Sequence, residues 1–212
     1  MNGALAGLVI LALGDSHMAY MILPLHEALE QQGAVVHSYG MCGAMATDWL
    51  NRMTTQCMAE RHDKGAAIIK NQPEPTWQLT DLIERHQPNL VVIELGDNMA
   101  GYGVSPTLPR DFIADQVSEL LRPVKARHLP CVWIGPPWGA DTTLYHKTDA
   151  RVRELSQFLA HAVAPCAYID TTSFAGPGEW TTADGEHLTQ ASYRKWSLDI
   201  TGAIVHLRGS LH

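Results

Sequence analysis

Short apolar runs recur along the chain, and longer amphipathic stretches separate them. The apolar runs lie at residues 8–13, 34–38, 90–95, 129–135 and 164–170. Runs of this length and composition predict strands that are covered on both faces, as in a parallel sheet. The stretches between them predict helices at residues 18–31, 47–57, 76–86, 110–127 and 148–162, with a last helix that begins near residue 189. This alternation predicts an α/β domain in which helices cover a parallel sheet on both sides.

The first apolar run ends at Gly14, and Asp15, Ser16 and His17 follow before a predicted helix. A strand-to-helix turn at this point exposes the Ser16 hydroxyl and directs its backbone N–H alongside the free amides of the helix start. Ser16 can therefore supply both a nucleophile and one donor to an oxyanion. Taken alone, the same tetrapeptide is also typical of an ordinary turn that caps a helix.

Two further segments carry the partners that a nucleophilic serine needs. Asp184 precedes His187 by three residues, so its carboxylate can orient the imidazole through Nδ1 and leave Nε2 to deprotonate a hydroxyl. Asn98 follows the strand predicted at 90–95, and its side-chain amide is a suitable oxyanion donor. Because ligands bind at the carboxyl ends of parallel strands, we expect these residues and Ser16 to share one edge of the sheet.

Four segments, at residues 14–17, 40–45, 96–98 and 184–187, together resemble the SGNH (GDSL-type) hydrolase superfamily. The resemblance extends from residue 8 to about residue 196. It implies a flavodoxin-like three-layer α/β/α sandwich with a five-stranded parallel sheet in the order 2-1-3-4-5, formed by a single domain over residues 1–212. It also implies an enzyme that needs no cofactor.

The resemblance implies that the catalytic residues are Ser16, Asp184 and His187. It implies that the oxyanion donors are Ser16, Gly43 and Asn98, so Ser16 has both roles. The family's glycine turn matches both Gly40 and Gly43. Gly43 is the predicted donor, and Gly40 is the alternative. Met45 and Met99 stand where the family often has threonine and aspartate.

Aromatic residues on the predicted loops suggest how a substrate is held. Tyr102, Trp138 and Trp180 follow strands at the expected edge of the sheet, and His17 lies beside the serine. We predict these four residues as substrate contacts, because aromatic rings suit the apolar faces of sugars. The alternative is that the aromatic residues anchor loops and that His17 is an ordinary residue of the helix start.

The predicted activity is the removal of O-acetyl groups from a carbohydrate by a serine esterase. No long apolar lid segment is visible, which disfavours a lipase for long acyl chains. The same residues also suit a thioesterase or lysophospholipase and a polysaccharide O-acetyltransferase. A glycan-binding domain without catalysis is the alternative of a different class.

Charge and composition restrict the partners. The chain has 15 basic and 22 acidic residues, a net charge of −7, and no basic cluster. Nucleic-acid binding is therefore not expected. No segment predicts a membrane span, and no Cys-x-x-Cys or closely spaced histidines predict a metal site. The substrate partner is expected to be a small-molecule or polysaccharide ester, and the sequence does not indicate an oligomeric state.

The four cysteines bear on the compartment. In the implied strand order Cys131 and Cys166 lie on neighbouring strands, and Cys42 and Cys57 flank the helix predicted at 47–57. Two disulfides would indicate a periplasmic or secreted protein, with an export signal upstream of the strand at 8–13. Four buried thiols in a cytoplasmic protein are the alternative.

Overall fold

The computed structural model describes residues 3–210, so the ends of the predicted domain, residues 1–2 and 211–212, lie outside the described residues. The strands are β1 Val9–Gly14, β2 Val35–Met41, β3 Thr54–Thr55, β4 Met58–His62, β5 Ile68–Lys70, β6 Glu74–Pro75, β7 Leu90–Glu94, β8 Cys131–Ile134 and β9 Ala167–Ile169. The α-helices are α1 Ser16–Met21, α2 Pro24–Gln31, α3 Leu79–His86, α4 Arg110–Ala126, α5 Asp149–Ala162 and α6 Gln190–Leu207.

The main sheet has the strand order β5-β4-β2-β1-β7-β8-β9. Its five parallel strands are β2, β1, β7, β8 and β9, which confirms the predicted order 2-1-3-4-5 for the parallel part. The predicted count of five strands is wrong, because the antiparallel hairpin β4–β5 extends the sheet beyond β2.

The prediction of a helix at residues 47–57, just before this hairpin, is wrong. The chain there forms only a short 3₁₀ turn, Ala46–Trp49, and then extended structure. Thr54 and Thr55 pair with β6, and the Thr55 hydroxyl donates to the carbonyl oxygen of Cys42 at 2.8 Å. β-branched threonines favour strands over helices. Contacts with distant residues thus override the weak helical pattern.

The helix predicted at 18–31 is divided into α1 and α2. Pro24 is the first residue of α2. A proline lacks the N–H that a continuous helix would need at this position, whereas it is well suited to the first turn of a new helix. The break lets α1 follow β1 closely while α2 packs along α6.

Two apolar layers enclose the sheet. On one face Leu11, Val91 and Trp133 pack against α3, α4 and α5, and all three side chains are fully buried. On the other face Ile10 and Val92 pack against α1, α2 and α6. Neighbouring strand residues alternate between the two layers, as the period of a strand requires. The predicted three-layer α/β/α architecture is confirmed.

Both predicted cysteine pairs are disulfides. Cys42 and Cys57 connect the end of β2 to the start of β4, and Cys131 and Cys166 connect β8 to the residue before β9. The alternative of four free thiols is therefore wrong. Across residues 3–210, no helix combines the length and the apolar character that crossing a bilayer requires.

Candidate active site

Ser16, His187 and Asp184 form a continuous chain of hydrogen bonds at the carboxyl edge of the sheet. His187 Nε2 lies 2.9 Å from Ser16 Oγ, and His187 Nδ1 lies 2.7 Å from Asp184 Oδ2. Ser16 is largely buried, whereas the side chains of His187 and Asp184 are 16% and 32% exposed. The structure thus brings the three predicted catalytic residues together in the arrangement of a Ser-His-Asp triad.

The sharp turn from β1 into α1 places Ser16. An added Cβ on Gly14 would collide with the backbone carbonyl oxygen of Glu94, so only glycine allows β1 and β7 to approach here. Asp15 is the N-cap of α1, and its carboxylate accepts the His17 N–H at 2.9 Å. These contacts fix Ser16 at the first position of the helix, with its hydroxyl turned towards His187.

The loop that carries Asp184 and His187 is fixed by the same carboxylate. Asp184 Oδ1 accepts the backbone N–H groups of Glu186 at 3.0 Å and His187 at 2.8 Å, which leaves Oδ2 for the imidazole. Partial burial opposes ionisation of Asp184, but the hydrogen bonds from His187 and these amides outweigh it and lower the pKa of Asp184. Asp184 is therefore a carboxylate near neutral pH, as an orienting residue must be.

Asn98 lies in a short 3₁₀ turn just after β7 and connects three loops. Its Nδ2 donates to Asp15 Oδ2 and to the carbonyl oxygen of Ala44, each at 3.1 Å. The amide group is thereby held between the Ser16 turn and the glycine turn that follows β2. This is the neighbourhood in which an oxyanion donor is needed.

The two candidate glycines have different environments. Gly40 lies inside β2, where an added Cβ would collide with the backbone of Ala19 in α1, so it allows close packing. Gly43 lies in the exposed turn after β2, with φ +73°, in the left-handed region that favours glycine. This contrast favours Gly43 as the predicted donor.

The prediction that His17 contacts substrate is wrong. His17 is 1% exposed, its Nδ1 lies 2.8 Å from the Tyr193 hydroxyl, and its Nε2 lies 2.8 Å from Asp97 Oδ2. Burial lowers the pKa of His17 to about 4, although Asp97 opposes this shift. His17 is a neutral residue of the protein interior beneath the triad, and neither ring nitrogen is available to a ligand.

The structure gives no support to the three predicted aromatic contacts, because each ring is held within the protein. The Tyr102 hydroxyl donates to Asp97 Oδ1 at 2.8 Å. Trp138 is buried and its indole N–H donates to the carbonyl oxygen of Ala175 at 2.6 Å. Trp180 is buried in the apolar layer beside α6. The loop-anchor alternative is the one that the structure supports.

Two other tyrosines flank the triad. The ring of Tyr20 lies 5.2 Å from the His187 ring and is 55% exposed. Tyr145 meets the same imidazole edge-on at 5.8 Å. Tyr20 also stacks on Tyr193 at 5.7 Å. The spacing of Tyr20, four residues after Ser16 on the same helix, was a signal that could have identified it.

A cleft of about 590 Å³ begins beside these rings. Its lining includes Tyr20 and Tyr193, continues past the Cys42–Cys57 disulfide, and reaches Ile69 in β5. Ser16 and His187 do not line the cleft itself, and Tyr20 is the lining residue whose ring lies beside His187.

A buried charged cluster supports the triad from below. Asp97 Oδ2 lies 2.6 Å from Lys147 Nζ, and both side chains are at most 1% exposed. Burial opposes ionisation of Asp97, but the Lys147 ammonium and His17 outweigh it and hold the pKa of Asp97 below its usual range. The Asp97–Lys147 ion pair thus links the loop after β7 to the segment before α5.

Asp15 and Glu94 form a second buried acidic pair, directly below Ser16. Burial raises the pKa of Asp15 to about 7, with the charge of Asp97 adding to the effect. Burial and the charge of Asp15 raise the pKa of Glu94 well above its usual range. Glu94 is therefore the group of this pair that keeps its proton near neutral pH.

We expect Glu94→Gln to become increasingly stabilising, relative to wild type, as pH rises. A carboxyl with a raised folded-state pKa gives stability that is present below its unfolded pKa and is lost as pH rises towards the folded value. In wild type this loss from Glu94 is about 1.4 kcal/mol per pH unit, and glutamine does not titrate. Thermal unfolding of both proteins from about pH 5 to pH 8 measures the difference. Exposed Glu84→Gln is the control, and a constant difference between Glu94→Gln and wild type would contradict this account.

The comparisons with known proteins identify a family and a shared fold. No family model matches the sequence. Over 202 residues the chain is 39% identical to protein BcsX of Komagataeibacter xylinus, a match that covers 92% of this chain and 76% of BcsX. This chain belongs to the BcsX family.

Solved structures of esterases and lipases share the fold of this BcsX-family chain. A GDSL-like lipase from Bacteroides thetaiotaomicron matches with a TM-score of 0.60 and 13% identity, over 92% of this chain and 86% of the lipase. An acetyl esterase variant with an acetate ion matches with a TM-score of 0.63 and 12% identity, over 96% of this chain and all of the esterase, a coverage of 100%. The fold that the resemblance implied is therefore confirmed.

Proposed function

We propose that this BcsX-family protein is a serine ester hydrolase whose nucleophile is Ser16. The observation that carries the proposal is the hydrogen-bonded chain from Ser16 Oγ through the His187 ring to Asp184 Oδ2. His187 takes the proton from the Ser16 hydroxyl as the oxygen attacks the ester carbonyl carbon. Asp184 keeps the proton of His187 on Nδ1 and stabilises the imidazolium that forms.

The tetrahedral intermediate carries a negative oxygen that needs donors. We propose the N–H groups of Ser16 and Gly43 for this role, together with the side-chain amide of Asn98, which would exchange its hydrogen bond to the carbonyl oxygen of Ala44 for one to the oxyanion. Collapse of the intermediate breaks the bond to the alcohol, which leaves with the proton from His187. Water then attacks the acyl-enzyme, His187 accepts its proton, and the acid is released while Ser16 regains its hydrogen.

We propose an O-acetylated carbohydrate as the substrate. The exposed ring of Tyr20 and the ring of Tyr145 flank His187, and aromatic faces of this kind pack on the apolar faces of sugars. The 590 Å³ cleft that begins at Tyr20 and Tyr193 is the space that we propose for the sugar. The shared fold with an acetyl esterase is consistent with a short acyl group.

We propose an oxidising compartment, either periplasmic or extracellular, as the site of action. All four cysteines of the chain are paired in the two disulfides. Disulfides form and persist in such compartments and are rare in the cytosol. A polysaccharide substrate outside the cytoplasm fits the same location.

The test is hydrolysis of p-nitrophenyl esters from acetyl to palmitoyl, followed by acetate release from acetylated polysaccharides. We expect turnover that is greatest with the acetyl ester and that disappears in Ser16→Ala. Tyr20→Ala should raise KM for the polysaccharide while leaving hydrolysis of the small acetyl ester nearly unchanged.

Other outcomes separate the remaining functions. Turnover that is greatest with long-chain esters would identify a thioesterase or lysophospholipase instead. Acetyl transfer to an added glycan acceptor in preference to water would identify an O-acetyltransferase. Glycan binding without serine-dependent turnover on any ester would identify a binding domain and overturn the hydrolase proposal.

A further inference from the structure

Three histidines that are far apart in the sequence meet on one side of the sheet, away from the triad. His37 lies in β2, His62 lies opposite it in the antiparallel register with β4, and His86 is the last residue of α3. Their ring nitrogens come within 4.8 Å of one another, the single such cluster of potential metal ligands across residues 3–210. All three side chains are half-buried.

The cluster contains nitrogens without partners. His37 Nδ1 and His62 Nδ1 are buried and have no hydrogen-bond partner. Buried polar atoms of this kind are uncommon, because each loses its hydrogen bonds to water without compensation. A ligand that accepts lone pairs from imidazole nitrogens would remove this deficit at both positions.

Neighbouring side chains orient two of the rings. Glu60 Oε2 lies 3.0 Å from His62 Nε2, and the Tyr39 hydroxyl lies 2.7 Å from His86 Nε2. In His62 and in His86, an oxygen atom thus holds Nε2, and Nδ1 remains as the candidate metal ligand. Histidines that ligate metals typically show this pattern, in which a carboxylate or another oxygen holds the second nitrogen.

We infer that His37, His62 and His86 form a binding site for one divalent transition-metal ion, Zn²⁺ being the best match to three imidazoles. Nitrogen ligands bind Zn²⁺ at about 2.0–2.1 Å. The rings of His37 and His86 are stacked 3.9 Å apart, and that of His62 is 5.5 Å from His86. Side-chain rotations bring the three nitrogens onto one ion, and water completes the tetrahedron.

The rings of the cluster suit a metal ion at neutral pH, although the guanidinium of Arg85 lies near His86. Burial, together with His62, lowers the pKa of His37, and burial together with His37 lowers the pKa of His86 to about 4. These two rings are therefore neutral, as metal binding requires. The carboxylate of Glu60 adds a negative charge beside the site.

The bound ion would connect β2, the hairpin β4–β5 and α3. This site shares no residue with the triad, and it does not depend on the proposed ester hydrolysis. Sequence spacing predicted no metal site, because the ligands are separated by 25 and 24 residues and meet only through strand pairing and the return of α3.

The experiment uses the full chain after treatment with a chelator and dialysis. Isothermal titration with ZnCl₂ is expected to show one ion per chain, and Co²⁺ is expected to give the visible absorption of a tetrahedral complex. His37→Asn and His86→Asn should each weaken Zn²⁺ binding by at least about 100-fold. His161→Asn, at an exposed position of α5, is the matched control and should bind as wild type does.

Thermal unfolding provides an independent measurement. Saturating Zn²⁺ should raise Tm of wild type and of His161→Asn, but not that of the two cluster variants. Circular dichroism checks that each variant is folded. His62→Asn, at a position with 37% side-chain exposure, offers a third ligand deletion that the fold tolerates more readily. Absence of stoichiometric binding to wild type, or equal binding to all the variants, would overturn the inference.

Discussion

Replacing Asp184 by asparagine is expected to lower kcat for ester hydrolysis by about 10³–10⁴-fold. Asparagine preserves the size of the side chain, and its Oδ1 can still accept the N–H groups of Glu186 and His187. However, its amide offers a donor where Asp184 Oδ2 accepts the Nδ1 proton of His187 at 2.7 Å. The imidazole then favours the tautomer with its proton on Nε2, and it can no longer accept the proton of Ser16.

Steady-state kinetics on an activated acetyl ester measures this effect. Asp141→Asn is the matched control, because Asp141 is an acid on a nearby loop with 60% side-chain exposure and no contact with the triad in the structure. We expect Asp141→Asn to retain wild-type kcat. A loss of less than 10-fold in Asp184→Asn would show that Asp184 does not orient the general base.

Replacing Lys147 by methionine is expected to destabilise the protein by about 3–5 kcal/mol. The ammonium of Lys147 is fully buried and lies 2.6 Å from Asp97 Oδ2. Methionine fills a similar volume but leaves the Asp97 carboxylate buried without its cation. For a chain of this size the loss corresponds to a decrease in Tm of roughly 10 °C.

A double-mutant cycle with Asp97→Asn separates this loss of pairing from a loss of packing. Removing both charges should recover a large part of the stability that Lys147→Met loses. The defect should also shrink as pH falls, because protonation of Asp97 or of the adjacent His17 neutralises the buried charge. A Lys147→Met protein within about 1 kcal/mol of wild type would contradict the buried ion pair.

The parallel sheet was predictable because its signals are local. Each parallel strand is a short apolar run, and Ser16, Asn98 and His187 follow recognisable turns. The carboxyl ends of parallel strands share one edge of the sheet. Residues that directly follow these strands are therefore expected to lie near one another in space. The disulfide between Cys131 and Cys166 was predictable for the same reason, because strand order placed the two residues side by side.

The remaining features depend on contacts that no local pattern encodes. Trp138 and Trp180 are buried because they contact backbone and core residues that are distant in the sequence. Their positions in predicted loops do not reveal these contacts. Lys147 and Asp97 are ordinary polar residues of loops until folding buries them as a pair. The hairpin β4–β5 pairs with β2, and the sequence of residues 58–70 alone does not show which strand it joins.

The disulfide at the start of this hairpin has a consequence for how the chain is produced. The strand β5 ends the sheet with Ile68 and Ile69 exposed by 49% and 58%, so this edge already resembles a template for a foreign strand. Cys42–Cys57 fastens the hairpin to β2. A chain that is synthesised without oxidation lacks this disulfide. If the hairpin then separates from β2, the edge of β2 is exposed and can pair with a strand of another chain. We therefore expect the reduced chain to aggregate more readily than the oxidised chain.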